Sequence, residues 1–364
     1  SDVEEGMRRY AKEDKNAYLI DMSEAELMGD KLHFNQISAE YMGRQVYEQI
    51  KKILSDDPHV YVAKYKGDRA CAISYTFDDG LRNQYLIAAP IMEKLQIPGT
   101  FFVIPGQVSV TLQEAEAKKP GAWGGVTWEE IRTLAAKGFE IGNHGYSHKN
   151  LVTQVKEPEE LEHEIENSAD MIRKETGIFP VSFCYPYNSF NEQVEKIVEK
   201  RHVVARTFQQ GIGARDTTAE NINQWVDKLI SQRKWGVAMI HGLTDGFDPL
   251  RPDVFESHLT YAKKHEKDLW IDTFGTIGRY IRQRDATTIK DVKIDSNLVS
   301  FILNCNLNKE QFDIPLTLVI LTENKVTEAK AKQGRESLPV TIQDKQIMIH
   351  CTPCLLYTSD AADD

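Results

Sequence analysis

Ala70-Cys-Ala-Ile-Ser-Tyr-Thr-Phe77, followed at once by Asp78-Asp79-Gly80, is the stretch that decides the fold. A β-branched and aromatic run of this length, stopped by a turn sequence, reads as a strand buried on both faces. Outward from it, a helical pattern through Leu86, Ile91 and Leu95 is broken by Pro98-Gly99. Thr100-Phe-Phe-Val-Ile104 is the next strand. Thr127-Trp-Glu-Glu130 opens another helix, which leads through Gly138 into the strand Phe139-Glu-Ile-Gly-Asn143. Further strands are expected at 182–184, 202–206, 237–240 and 269–271. Strand, helix and strand at this spacing indicate βα units around parallel strands, in an open sheet or a barrel. In such barrels the chemistry gathers at the C-terminal ends of the strands.

The remainder of the 364 residues divides around this block. Residues 1–57 hold one short apolar run and one helical pattern, too little for an independent core. The catalytic unit is expected over 58–284. From 285 to 353 short strand-like runs (289–294, 298–303, 316–321 and 347–349) point to a small, truncated β-rich accessory domain. Residues 354–364, Cys-Leu-Leu-Tyr-Thr-Ser-Asp-Ala-Ala-Asp-Asp, have no link to that pattern and read as a non-native tail. The net charge of −11 (Lys+Arg 44, Asp+Glu 55) argues against a grip on nucleic acid or anionic lipid. The longest nearly unbroken apolar stretch, Ile314-Pro-Leu-Thr-Leu-Val-Ile-Leu321, falls far short of the about 20 residues of a membrane helix. No export signal is visible at Ser1-Asp-Val-Glu-Glu5. The 5 cysteines have no scaffold-like spacing and leave the redox compartment open.

Two clusters at expected strand ends carry chemistry. Asp78-Asp79 needs the turn at Gly80 to bring both carboxylates into one site; alone, such a triplet is more often an ordinary turn. His144-Gly-Tyr-Ser-His148 places two imidazoles four residues apart, able to meet one ion if the segment makes a helical turn. Two His and one carboxylate make a ligand face that leaves positions on a divalent ion open for water and substrate. A second carboxylate is then free for acid/base work, and His241, after Val237-Ala-Met-Ile240, can supply the complementary acid.

Thr76-Phe-Asp-Asp-Gly80, Asn143-His-Gly-Tyr-Ser-His148, Tyr185-Pro-Tyr187 and Met239-Ile-His241 resemble, in order and spacing, the motifs of the polysaccharide deacetylase family, also called the NodB homology domain or carbohydrate esterase family 4. The resemblance covers about residues 70–280 and implies an α/β fold, a distorted, incomplete (β/α) barrel. It implies Asp79, His144 and His148 as metal ligands, Asp78 as general base and His241 as general acid. It further implies the Tyr187 amide, after Pro186, as an oxyanion donor. The ion is expected to be zinc, with cobalt, nickel or manganese also suited to these ligands. Two departures stand out. Cys184 occupies the position where many members carry an Arg that orients the catalytic Asp, and Arg206 on a neighbouring strand is the candidate substitute. The Asp-x-x-Asp-Trp motif that gives the acid His its partner is not recognisable, although Asp245 and Asp248 lie nearby.

The expected activity is metal-dependent deacetylation of a polysaccharide or oligosaccharide, with acetylxylan as substrate and a secreted or periplasmic bacterial setting. N-deacetylation of chitin oligomers or peptidoglycan is the alternative, and a non-catalytic carbohydrate-binding protein the rival from another class. Trp123, Trp128, Trp235 and Trp270 can stack on sugar rings or pack in the core. His163, within Lys156-Glu-Pro-Glu-Glu-Leu-Glu-His-Glu164, is expected on a solvated helix face. The segment Met28-Gly-Asp-Lys-Leu-His-Phe-Asn35 resembles the C-terminal end of SGNH-type carbohydrate esterases. That implies Asp30 and His33 as vestigial members of a triad without its nucleophile.

Overall fold

The computed structural model describes residues 60–295, 297–322 and 324–353. The esterase-like segment with Asp30 and His33, and the tail from Cys354, lie outside the described residues. The strands in chain order are β1 (Val60–Val62), β2 (Cys71–Phe77), β3 (Thr100–Val103), β4 (Glu140–Asn143), β5 (Ser182–Cys184), β6 (Val204–Arg206), β7 (Gln210–Gly211), β8 (Trp235–Ile240) and β9 (Leu269–Ile271). Then come β10 (Thr287–Asp295), β11 (Leu298–Cys305), β12 (Leu316–Leu321), β13 (Ala331–Gln333), β14 (Glu336–Leu338), β15 (Val340–Gln343) and β16 (Gln346–Cys351).

The strands β2 to β9 form one parallel sheet in the order β6-β5-β4-β3-β2-β8-β7, with β9 also paired to β2. Every residue of β2 is buried, because the strand is covered on both faces. One edge of β2 pairs with β8 over Ala72–Phe77. The other edge is shared: β9 takes Cys71–Ile73 and β3 takes Thr76 and Phe77. Because β6 and β7 end the order without pairing with each other, the barrel is incomplete. Phe102, Cys184, Val237 and Phe274 fill its interior, with Val204 and Trp235 against them. Outside, helices pack on the sheet through a core that includes Phe77, Phe101, Ile131, Val226 and Phe255. Helix Trp128–Ala136 starts in a capping box in which Thr127 and Glu130 satisfy each other's backbone amides.

Two helical segments are not regular. The turn Gln84–Ala88, which leads into helix Ala89–Lys94, is π-helical, and so is His163–Asn167 between helices Pro158–Glu162 and Ser168–Thr176. Such turns insert a residue into a helix and often mark functional sites. A periodicity reading of this stretch sees one continuous helix, since a single extra residue barely disturbs the apolar spacing.

The C-terminal unit is an antiparallel sheet in the order β1-β12-β16-β15, with the β10-β11 hairpin packed over it through Ile289, Val299, Phe301 and Leu303 against Leu318, Ile320 and Ile349. The strand β1 precedes the barrel in the chain, within the span 58–284 read as the catalytic unit. It nevertheless pairs with β12, Val60 opposite Ile320 and Val62 opposite Leu318. Three alternating residues give no sequence signal of which sheet they join. No helix among the described residues is long and apolar enough to cross a membrane.

Candidate metal and catalytic site

Both acidic residues after β2 reach one pocket because the backbone turns sharply between them. The Asp78 amide donates to Ile240 O at 2.9 Å, extending the ladder to β8 by one rung. Asp79 then takes φ 74° and Gly80 φ 60°. The left-handed region costs a side-chain-bearing residue about 1–3 kcal/mol, whereas glycine adopts it freely. The Asp79 and Gly80 carbonyls accept the Gly124 and Val126 amides, which fastens the turn to the next loop. Asp78 and Asp79 end 2% and 4% exposed.

His144 follows β4, its amide donating to Val103 O at 3.0 Å. The spacing of the two histidines suggested a helical turn, but the segment is a tight loop in which Gly145 has φ 76° and His148 φ 62°. Left-handed residues, rather than helical repeat, bring the second imidazole back over the first. The two rings lie 5.0 Å apart. Asp79 Oδ1 is 3.3 Å from His144 Nε2 and 3.2 Å from His148 Nε2.

These three residues fit a divalent cation. His144 Nδ1 lies 2.8 Å from Cys184 O, so Nδ1–H donates there and Nε2 presents a lone pair to Asp79. Asp79 Oδ1 is buried and accepts no hydrogen bond. Two acceptors, His144 Nε2 and Asp79 Oδ1, therefore face each other in a buried pocket, an arrangement that a bound cation or an added proton relieves. Two ligand atoms at about 2.0–2.1 Å from a tetrahedral ion stand roughly 3.3 Å apart, matching the observed spacing. Burial opposes the charged form of Asp79, yet where protons rather than an ion sit on the rings, hydrogen bonds and charge from His144 and His148 outweigh burial and hold its carboxyl well below the usual range. A second cluster of Asp78, His144 and Cys184 also falls within ligand distance. There, burial raises the Cys184 thiol pKa and keeps it protonated, and Asp78 is already engaged.

The partner of Asp78 is Arg206. Its Nη1 donates to Asp78 Oδ1 at 2.8 Å and its Nη2 to Oδ2 at 2.5 Å, while Nη1 also reaches Thr76 Oγ1 at 2.8 Å. Arg206 is 1% exposed, and its guanidinium lies 5.4 Å over the Phe102 ring. Cys184 and Arg206 are direct cross-strand neighbours on β5 and β6. The guanidinium that binds Asp78 thus comes from one strand sideways of the position that Cys184 occupies.

His241 directly follows β8, whose last residue pairs with Phe77 of β2, so its backbone lies beside Asp78. Its ring meets Phe247 edge-on at 5.1 Å and makes no hydrogen bond or ion pair with any described residue. Neither Asp245 nor Asp248 engages it; the Asp245 carboxylate accepts from Thr244 Oγ1 at 2.9 Å instead. Pro186 is buried, and Tyr187 beside it takes φ 60° and is 56% exposed. The Tyr187 ring lies 4.8 Å from His148 on one side and Trp123 lies 4.2 Å from it on another. Of the four tryptophans considered for sugar stacking, Trp123 lines this mouth at 40% exposure, while Trp128 and Trp270 are buried in cores and Trp235 lines the barrel interior.

Glu164 lies in a charged run whose sequence reads as solvated. His163 of that run is exposed, its ring tilted against Tyr146 at 4.5 Å, but Glu164 is 2% exposed. Its carboxylate accepts from the Ser147 amide at 2.9 Å and from Ser147 Oγ at 2.5 Å, and its carbonyl accepts from the Tyr146 amide. Asn143 holds the other end of the loop, accepting from the Gly145 amide at 3.0 Å and from Ser168 Oγ. Glu164 therefore shapes the loop that carries both imidazoles. If these residues hold a divalent ion, Glu164→Ala is expected to weaken its binding by about 10–100-fold, read by calorimetric titration with zinc. Glu164→Gln, which keeps an acceptor for the Ser147 amide, should lose less.

Residues 66–205 match the model of the polysaccharide deacetylase family. A gellan lyase from a Bacillus species is 24% identical over 333 residues, spanning 80% of this chain and 13% of the lyase. The peptidoglycan-N-acetylglucosamine deacetylase of Bacillus cereus is 25% identical over 193 residues, spanning 50% of this chain and 62% of that protein. The Xyl-CE4 domain of a multidomain xylanase from the hindgut metagenome of Trinervitermes trinervoides overlays with a TM-score of 0.42 at 17% identity, covering 57% of this chain and 89% of that domain. The chain thus spans less than two thirds of the length of both curated relatives.

Proposed function

The chain belongs to the polysaccharide deacetylase family through residues 66–205, and from that premise we propose that it hydrolyses acetyl esters on xylan with a divalent ion held by Asp79, His144 and His148. The observation that carries this reading is the buried Asp79 Oδ1, which faces two imidazole nitrogens and accepts no hydrogen bond. Zinc suits the donors best, and cobalt, nickel and manganese accept the same set. When bound, such an ion polarises the acetyl carbonyl and lowers the pKa of a water towards about 7.

The chain's own residues do the rest. Asp78 accepts the proton of the attacking water; its Oδ1 keeps a lone pair beyond the one used by Arg206. Arg206 fixes the direction of that carboxylate with a two-bond fork. The Tyr187 amide, presented by a left-handed turn behind buried Pro186, stabilises the oxyanion. His241 returns a proton to the departing oxygen. The burial of Asp78, Asp79, His144 and His148 keeps bulk water away and strengthens each of these interactions.

An ester is favoured over an amide because the His241 ring has no partner among the described residues to hold it. An alkoxide leaves more readily than an amine nitrogen, so a loosely held acid penalises amides more. Deacetylation of N-acetylglucosamine polymers is the second reading, supported by the name of the Bacillus cereus relative. Both substrates lie outside the bacterial cytoplasm, so export belongs to the proposal. Acetate release from acetylated xylan and from N-acetylglucosamine oligomers, after chelation and after add-back of single metals, tests it. Faster release from the oligomers would overturn the ester assignment. Release unaffected by chelation would overturn the metal assignment, and glycan binding without release would leave a carbohydrate-binding protein.

The Trp123 indole at the mouth is proposed to stack on a sugar ring of the polymer. Trp123→Ala is expected to raise KM on acetylated xylan by about 3–10-fold, while rates on a small aryl acetate stay near wild type. Steady-state kinetics on the two substrates check this.

A further inference from the structure

Gln84, the first residue of the π-helical turn Gln84–Ala88, has a side chain that none of the steps above uses. We propose that Gln84 is the positioning residue that sets the spacing between Asp78 and His241, an inference that rests on the base and acid roles proposed for those two residues. Its side-chain nitrogen donates to Asp78 O at 2.5 Å and to His241 O at 2.5 Å. A carboxamide nitrogen carries two hydrogens, and here each is given to a different strand end. Gln84 is 2% exposed, so without it the Asp78 carbonyl would be buried without this donor, at a cost that keeps the bond in place.

The location makes this bridge matter. The bond from the Asp78 amide to Ile240 O is the last link between β2 and β8. Beyond it Asp79 turns away in the left-handed region. Gln84 takes over there, and Asn83 beside it continues the grip on the loop after His241. Asn83 Nδ2 donates to Asp245 O at 3.0 Å, and its Oδ1 accepts from the Leu243 amide at 3.4 Å. No described residue bonds to the His241 ring, so the position of its backbone is what delivers the imidazole to the leaving group. The extra residue of the π-helical turn aims Gln84 at the sheet end, while the helix that follows keeps its apolar face on the core.

The test uses the full chain saturated with zinc. Gln84→Met keeps the length of the side chain without donors, and Gln84→Glu offers at most one donor. Acetate release, zinc affinity by calorimetry and Tm are measured for both beside the wild type. The expected result is a fall in kcat on the order of 100-fold for Gln84→Met and a smaller fall for Gln84→Glu, with KM and zinc affinity within about twofold of wild type. Where Gln84→Met does not fold, Gln84→Glu carries the comparison. Wild-type kcat in the variants overturns the inference, and so does a parallel loss of zinc affinity and kcat, which marks a merely structural glutamine. A wild type that releases no acetate overturns the functional reading itself, and with it this inference.

Discussion

Arg206→Met is expected to cost about 3–5 kcal/mol of stability and most of the turnover, read by urea denaturation and acetate release. The substitution deletes the cation beside a carboxylate that is 2% exposed and leaves that carboxylate with only a weak 3.9 Å contact from Cys184 Sγ. Breaking one side of a buried pair is far costlier than removing both, since the survivor keeps its desolvation penalty. Pairing Arg206→Met with Asp78→Asn should therefore recover much of the stability and none of the activity. Arg206→Lys keeps the charge but loses the fork, and an intermediate turnover is expected. Because Cys184 and Arg206 are cross-strand neighbours, Cys184→Arg combined with Arg206→Val returns a guanidinium to the family's usual strand. Activity recovered in that double variant would show that the reaction needs the guanidinium beside Asp78 rather than the strand that supplies it. Unchanged turnover in Arg206→Met would refute the orienting role.

Asp79→Asn is expected to abolish metal-dependent behaviour while leaving a folded protein. The exchange is nearly isosteric and removes the negative charge between two imidazoles that sit 3.2 and 3.3 Å away. The Lewis-acid contribution of a bound ion is several kcal/mol, so turnover should fall on the order of 1,000-fold. Zinc at one hundred times its Kd stabilises a native protein by about 2.7 kcal/mol, and that increment should disappear in the variant. Calorimetry with zinc, Tm with and without chelator, and acetate release check the three parts. A variant that keeps zinc-dependent stabilisation would place the ion elsewhere.

The barrel strands were legible because parallel strands buried on both faces spell out as apolar runs, as Cys71–Phe77 does. The acidic pair and the histidine pair were legible because each falls within five residues of chain at the end of an apolar run. The structure brings Asp78, Asp79, His144 and His148 into one buried pocket and lays Arg206 against Asp78. What escaped the sequence is what depends on distant partners. Glu164 sits in an acidic run that looks solvated, and only the loop carrying Ser147 explains its burial. Gln84 looks like any polar residue at a helix start until its two carbonyls are seen. The left-handed backbone at Asp79, His148 and Tyr187 has no signature, since none is glycine. Strands of two to four residues such as β1, β7 and β13 carry too few positions for a period to show.

The pairing of β1 with β12 has a consequence for the order of folding. The whole barrel lies between these two strands in the chain, so their ladder, Val60 with Ile320, closes a loop of great length. Closing such a loop from an unfolded chain is entropically slow. Once the barrel has condensed, its two ends emerge close together and the remaining gap is short. The barrel is thus an insertion between two strands of the β unit, and the seam between Tyr61 and Val319 is expected to form late, with hydrogen exchange during refolding as its check.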